Sequence, residues 1–155
     1  MSDYHAPLKE MQFVLNELAE LPALSRLENF EELSTDLVAQ VLEEAGKLAS
    51  GLLTPLNSVG DQTGSKVVDR QVQPADGFKA AYQQFIAGGW TSLAADPAHG
   101  GMGLPELVAS AVGEMWSAAN VSFALCPMLT QGAIGAIEAH GSDALRQRYL
   151  EKLVT

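Results

Sequence analysis

Cysteine is nearly absent from this chain. Cys126 stands alone, so no internal disulfide can form, which fits a reducing compartment. Positive charge is scarce too: nine Lys and Arg against nineteen Asp and Glu leave a formal net charge of -10. A chain this acidic repels a phosphate backbone, which argues against nucleic acid as a partner. The histidines, His5, His99 and His140, are scattered, with no paired spacing to another His or Cys that would bind zinc, so no metal site is expected. No apolar run reaches about 18 residues, so no membrane span is expected. Met1-Ser2-Asp3-Tyr4-His5 has no basic segment followed by an apolar core, so no secretory signal is expected either. No internal repeat or low-complexity segment is present. What remains is a soluble, cytoplasmic chain of 155 residues, 47% hydrophobic, with enough apolar material for one sizeable core but not two.

What is present is helical periodicity. Met11, Val14, Leu15 and Leu18 recur at three- and four-residue steps between Leu8 and Leu21, predicting a helix that Pro22 breaks. Ser34 is placed to cap a second helix, with Asp36 in its first turn at the positive end of the helix dipole. Leu37, Val38, Val41, Leu42, Ala45, Leu48, Ala49 and Leu52 give that helix a broad apolar stripe, which ends near Gly51 to Pro55. Asn57 to Asp76 reads as a loop, with Gly60, Gly64, Pro74 and only a short apolar step at Val67-Val68. Phe78, Ala81, Tyr82, Phe85 and Ile86 restore the pattern, and Gly88-Gly89 closes it. Pro105 suits a first helical turn, and the small-residue helix that follows runs to about Ala118. Asn120 to Ala124 either continues or breaks it. Pro127 suits the start of another helix, ending at His140-Gly141. Ser142 is placed to cap a last helix, with Leu145, Tyr149, Leu150 and Leu153 on its buried side. The expected fold is all-α, with about six helices.

Chemistry-bearing residues are few. Gly100-Gly101-Met102-Gly103 could cradle a phosphate, because exposed amides at a helix start attract anions. The P-loop pattern is missing, however, and no βαβ unit surrounds the glycines, so a tight structural turn is the better reading of Gly100, Gly101 and Gly103. Gly60 to Lys66 fails the same test. Cys126 has no activating His or Asp nearby in sequence and reads as a small buried residue. Glu31-Glu32 and Glu43-Glu44 read as solvated helix faces, and Glu114 as an exposed position on a mostly apolar helix. No catalytic constellation emerges.

The stretch Gly88-Gly89-Trp90 through Asp96-Pro97-Ala98-His99-Gly100-Gly101-Met102-Gly103-Leu104-Pro105 resembles the acyl-CoA dehydrogenase family, in the helical domain that precedes its flavin-binding part. The opening Tyr4 to Leu15, Gly60-Asp61 through Gly64, and Gly77 to Tyr82 are similar to an N-terminally extended subgroup of that family. His140-Gly141-Ser142 through Tyr149 to Leu153 resembles the end of the family's helical domain. The likeness spans almost the whole chain, which divides into an N-terminal extension with one helix at 1-33 and the helical domain at 34-155. At one position it departs: a tyrosine often precedes the paired glycines, and His99 stands there.

The resemblance implies a flavoenzyme of fatty acid metabolism that oxidises an acyl-CoA thioester to the 2,3-enoyl-CoA. A glutamate takes the α-proton and FAD the β-hydride, while hydrogen bonds polarise the thioester carbonyl. The Thr-Glu-Pro and Gly-Ser-Asp signatures of the flavin-contacting β-domain are absent, and so is the C-terminal bundle that carries the catalytic glutamate. No catalytic or cofactor-binding residue is therefore assigned here. The expectation is that residues 1 to 155 alone neither hold FAD nor turn over substrate. The end at Leu153-Val154-Thr155, close to a helical stripe, fits a chain cut from a longer one.

In the family, the helix after the glycine loop walls the acyl cavity. Ala109, Gly113 and Ser117 lie four apart on that helix and share a face, so they are the expected pocket wall, with close helix packing as the other reason for small residues there. The complete enzyme is expected to take an acyl-CoA, to form a homo-oligomer and to pass electrons to an unidentified acceptor. The contrasting reading is a stand-alone helical binding module without catalysis.

Overall fold

A computed structural model describes residues 4 to 155. Met1, Ser2 and Asp3, and with them part of the signal-peptide reading, lie outside the described residues. The element order is α1 (Leu8–Phe13), α2 (Thr35–Leu48), α3 (Thr54–Thr63), β1 (Lys66–Val68), β2 (Gln71–Gln73), α4 (Phe78–Ala87), α5 (Glu106–His140) and α6 (Asp143–Val154). The fold is all-α apart from one small hairpin.

Helix α1 passes into a widened turn at Val14–Leu18, closed by a bond from the Ala19 amide to the Val14 carbonyl. The wide turn inserts an extra residue and rotates the stripe. Met11 and Leu15 are therefore buried, whereas Val14 and Leu18 are 47% and 68% exposed, contrary to the single face expected from their spacing.

Ser34 does cap α2: its hydroxyl accepts from the Leu37 amide at 3.1 Å. Val38, Leu42, Ala45 and Ala49 form the buried stripe, while Leu37 at its edge is exposed. The expected stop at Gly51 to Pro55 does not occur. A second widened turn, Ala49–Leu53, leads directly into α3, and the Thr54 hydroxyl donates to the Ala49 carbonyl at 2.9 Å. Proline interrupts a helix through its missing N–H and its ring's clash with a preceding carbonyl. Widening the turn ahead of Pro55 relieves both.

The rest of the expected loop is also ordered. β1 and β2 pair antiparallel, with Val67 opposite Val72, around Asp69 (φ 50°) and Arg70 (φ 65°). Two successive left-handed residues are the geometry of a tight hairpin turn that usually signals itself by Asn-Gly or Asp-Gly. Here neither residue is glycine, so the signal was missing.

Gly77 (φ 86°) and Gly89 (φ 72°) bracket α4, as the pattern implied. The stripe Phe78, Ala81, Tyr82 and Phe85 joins the core, with Ile86 at its exposed edge.

Helix α5 contains the main departure. Asn120, at φ -161° and ψ 89°, is extended rather than helical and divides α5 into arms at 106–119 and 121–140. Asn120 Oδ1 accepts from the Phe123 amide at 3.1 Å, which makes Asn120 the cap of the second arm. Pro127 is therefore not the start of a helix, as expected, but lies buried in the second turn of one already begun. Helix α5 is long and apolar enough in composition to cross a membrane, a test the sequence was expected to fail. It breaks at Asn120, and the complete burial of Val108, Val112 and Met115 places part of that apolarity in the core, while Val121, Leu125, Met128 and Leu129 stay exposed.

Ser142 caps α6 through the Leu145 amide at 3.4 Å. Of the four residues expected on the buried side of α6, Leu150 is fully buried and Leu153 half-buried, whereas Leu145 and Tyr149 are 45% and 40% exposed. Val154 is buried instead. α6 docks by its C-terminal half against Ala95 and Ile134, forming a small second cluster beside the main core. The main core gathers α2, α4 and α5 around Leu42, Leu53, Phe85, Val112, Met115 and Trp116.

Candidate functional site

The glycine loop folds back on the segment before it. The Met102 amide donates to Ser92 O at 2.9 Å, Gly103 to Ala95 O at 3.0 Å and Leu104 to Leu93 O at 2.8 Å. The Gly100 amide bonds Pro97 O and the Gly101 amide bonds Asp96 O, each at 3.1 Å. Every amide from Gly100 to Leu104 is thus spent within the loop. An anion cradle needs free amides, so the structural-turn reading fits and the phosphate reading does not. Asp96 strengthens the turn, its side chain accepting from the Ala98 amide at 2.8 Å.

Above this loop the two arms of α5 enclose an open groove of about 460 Å³. Ala109, Gly113 and Ser117 all line it from the first arm, with Trp116 at their base. The second arm contributes Ala124, Leu125, Met128 and Ile134, and Thr91, Ala94 and Ala95 close the side next to the glycine loop. A Cβ built on Gly113 meets nothing within 4 Å, so among the described residues close helix packing does not account for that glycine. Trp116 is held by edge-on contacts with Trp90 at 5.3 Å and Phe85 at 5.4 Å, which fixes the groove floor.

Apolar side chains make up most of the groove lining, with Thr91, Ser110, Ser117 and Gln131 among them, and two carboxylates, Glu106 and Glu138, line it as well. Glu138 is fixed there by accepting the Asp96 amide at 3.2 Å. An apolar chain is suited to this lining, and the two carboxylates repel a phosphate.

The remaining singled-out residues lie elsewhere. Cys126 is exposed, not buried, and lies beside Tyr82 on the other side of the second arm. Burial, with a smaller contribution from Cys126, pushes the Tyr82 phenol above its ordinary value. Glu114 is exposed, as expected, and near Tyr4, whose phenol is raised by burial first and by that carboxylate second. Among the described residues no group of three or more His, Cys, Asp or Glu is close enough to hold a metal ion. The residues that sequence reasoning missed are those of the second arm. Their one signal was Asn120, a carboxamide set in an apolar run, which marks a corner where pattern alone allowed a continuous helix.

Residues 61–155 match the family described as acyl-CoA dehydrogenase, N-terminal domain, and the chain belongs to that family as its mostly helical N-terminal domain. The match runs from the end of α3 through the hairpin, α4, the glycine loop, both arms of α5 and α6, and it contains every residue that lines the groove.

Over 152 residues the chain is 40% identical to 3-methylmercaptopropionyl-CoA dehydrogenase of Ruegeria pomeroyi, an alignment covering 98% of this chain and 26% of that protein. The chain thus spans about a quarter of the length of that relative.

Proposed function

We propose that this chain is the part of an FAD-dependent acyl-CoA dehydrogenase that walls the acyl-binding cavity, in a protein that oxidises an acyl-CoA thioester to the 2,3-enoyl-CoA. The observation that carries this reading is the groove itself. Ala109, Gly113 and Ser117 share one open, mostly apolar cleft, with space above Gly113 that no described residue fills. What the chain supplies is binding and the exclusion of water. An apolar acyl tail laid along Ala124, Leu125, Met128 and Trp116 removes apolar surface from water, worth about 25 cal/mol per Å². The carboxylates of Glu106 and Glu138 disfavour anionic groups in the groove, so the nucleotide part of the substrate stays outside.

These residues do not form a flavin site by themselves. The amides of Gly100 to Leu104 are consumed within the loop, and among the described residues no glycine-rich turn follows a strand and opens a helix. We therefore place the flavin and the catalytic base on other parts of the complete protein, and the complete protein in the cytoplasm as a homo-oligomer. The purified 155-residue chain is expected to show no flavin absorbance after incubation with FAD and gel filtration. A stoichiometric flavin band would overturn that assignment.

The exposed Val121, Leu125, Met128 and Leu129 on the second arm support the reading of a domain within a larger protein, because a stand-alone module would cover such a stripe. The direct test is Gly113→Leu in the complete enzyme, assayed on straight-chain acyl-CoAs of increasing length. The added side chain enters the open space above Gly113, so kcat/KM is expected to fall roughly tenfold or more for the longer substrates and little for the shortest. An unchanged chain-length preference would remove this face from the acyl site.

A further inference from the structure

Glu106 and Glu138 line the same groove, yet roughly 32 positions separate them, about 48 Å of unbroken α-helix. The groove exists because α5 turns sharply at one residue. That residue is Asn120, 1% exposed and the only residue inside α5 with non-helical backbone angles. Its carboxamide is used on both sides. Oδ1 accepts from the Phe123 amide at 3.1 Å and starts the second arm, while Nδ2 donates to the Leu53 carbonyl at 3.2 Å. Leu53 is fully buried at the end of the widened turn between α2 and α3, so the second bond ties the corner to the centre of the core.

From this geometry we infer that Asn120 is a positioning residue, setting the angle between the two arms of α5 and with it the width of the groove. Its side chain is suited to this in a way other capping residues are not. Serine, threonine and aspartate can accept from the Phe123 amide. Aspartate has no donor for the Leu53 carbonyl. The single hydroxyl of serine or threonine does not span the two partners as the two ends of a carboxamide do, and glutamine carries its amide one methylene too far out. Trp116, one turn before the corner, lines the groove and stacks edge-on with Trp90, so the corner angle is coupled to an optical reporter.

The inference rests on the acyl-wall reading for its functional consequence but not for its geometry, and the tests separate the two. Asn120→Asp keeps the acceptor for Phe123 and turns the donor into a second acceptor facing the Leu53 carbonyl. Asn120→Ser keeps the cap alone without adding charge and guards against a folding failure of the first variant. In the 155-residue chain, both variants are expected to unfold cooperatively, with a weakened near-UV circular dichroism band from the Trp90–Trp116 pair. In the complete enzyme, KM for the longest straight-chain acyl-CoA accepted is expected to rise about tenfold, with kcat within about twofold. Lower stability with an unchanged near-UV band and an unchanged KM would reduce Asn120 to an ordinary buried cap and overturn the inference. If the near-UV band weakens while Gly113→Leu and both Asn120 variants leave the chain-length profile unchanged, the corner stands and the acyl-wall reading falls.

Discussion

Phe85→Ala is expected to remove about 3–5 kcal/mol of stability, the range for emptying a fully buried aromatic site. Phe85 has no exposed surface and sits at the inside of the α5 corner. Its ring meets Trp116 of the first arm at 5.4 Å and 71°, and Phe123 of the second arm at 5.4 Å and 69°. Both contacts are edge-on, the arrangement favoured by the ring quadrupole. The hole left by alanine cannot collapse easily, because Trp116 is also held by Trp90 and Phe123 follows directly from the capped corner. A typical domain has only about 5–15 kcal/mol of stability in total, so the variant is expected to be near its folding threshold. The control is Ile86→Ala, one residue along α4 and 38% exposed, expected to cost about 1 kcal/mol or less. Denaturant titration gives both values. A Phe85→Ala loss no larger than the Ile86→Ala loss would show that the aromatic cluster does not hold the two arms together.

The features legible in the sequence are those with a local cause. Ser34 and Ser142 cap the helices they were expected to cap, because an N-cap needs only a hydroxyl and an amide three residues on. Gly77 and Gly89 occupy left-handed positions at the ends of α4, and the glycine loop is a turn. The misread features have causes that periodicity does not carry. Widened turns at Val14–Leu18 and Ala49–Leu53 shift a helical stripe without changing the composition. The Asp69-Arg70 turn reaches positive φ without glycine, so the hairpin had no turn signature. On α6 the choice among apolar positions was settled by what lies opposite. Ala95 and Ile134 take Leu150 and Val154, leaving Leu145 and Tyr149 to solvent.

The groove shows the same division. Ala109, Gly113 and Ser117 were readable as one face because four-residue spacing guarantees it. Met128, Ile134 and Glu138 were not, because they reach the groove only through the bend at Asn120. Reading that bend required knowing that the Leu53 carbonyl, 67 residues earlier, would meet the Asn120 amide.

The glycines of the chain look alike in the sequence but occupy different physical settings, so alanine at Gly101, Gly100 and Gly113 is expected to differ in sign and size. Gly101→Ala is expected to be the most damaging, costing on the order of 3 kcal/mol, at the top of the usual overpacking range. The new Cβ would fall on the Ala95 carbonyl group, and the Ala95 Cβ lies only 2.8 Å from it. That collision is with backbone, which has no rotamer to offer. Relief requires the loop to open, and opening breaks the bonds from Gly101 to Asp96 O and from Gly103 to Ala95 O. Gly100→Ala carries a different penalty. At φ +91° its cost is conformational, roughly 1–2 kcal/mol, with the Thr155 methyl 3.0 Å away as a flexible neighbour. Gly113→Ala reverses the sign, because a helical glycine with open space beyond its Cβ costs about 0.5–1 kcal/mol relative to alanine. A denaturation series on the three variants would therefore rank Gly101→Ala lowest and Gly113→Ala above the unsubstituted chain. Near-neutral Gly101→Ala would mean that the loop accommodates a side chain by sliding, and the fixed relation between Thr91–Ala95 and the first arm of α5 would be lost with it. A stabilised Gly113→Ala would show that this glycine costs the fold stability and that no packing contact requires it.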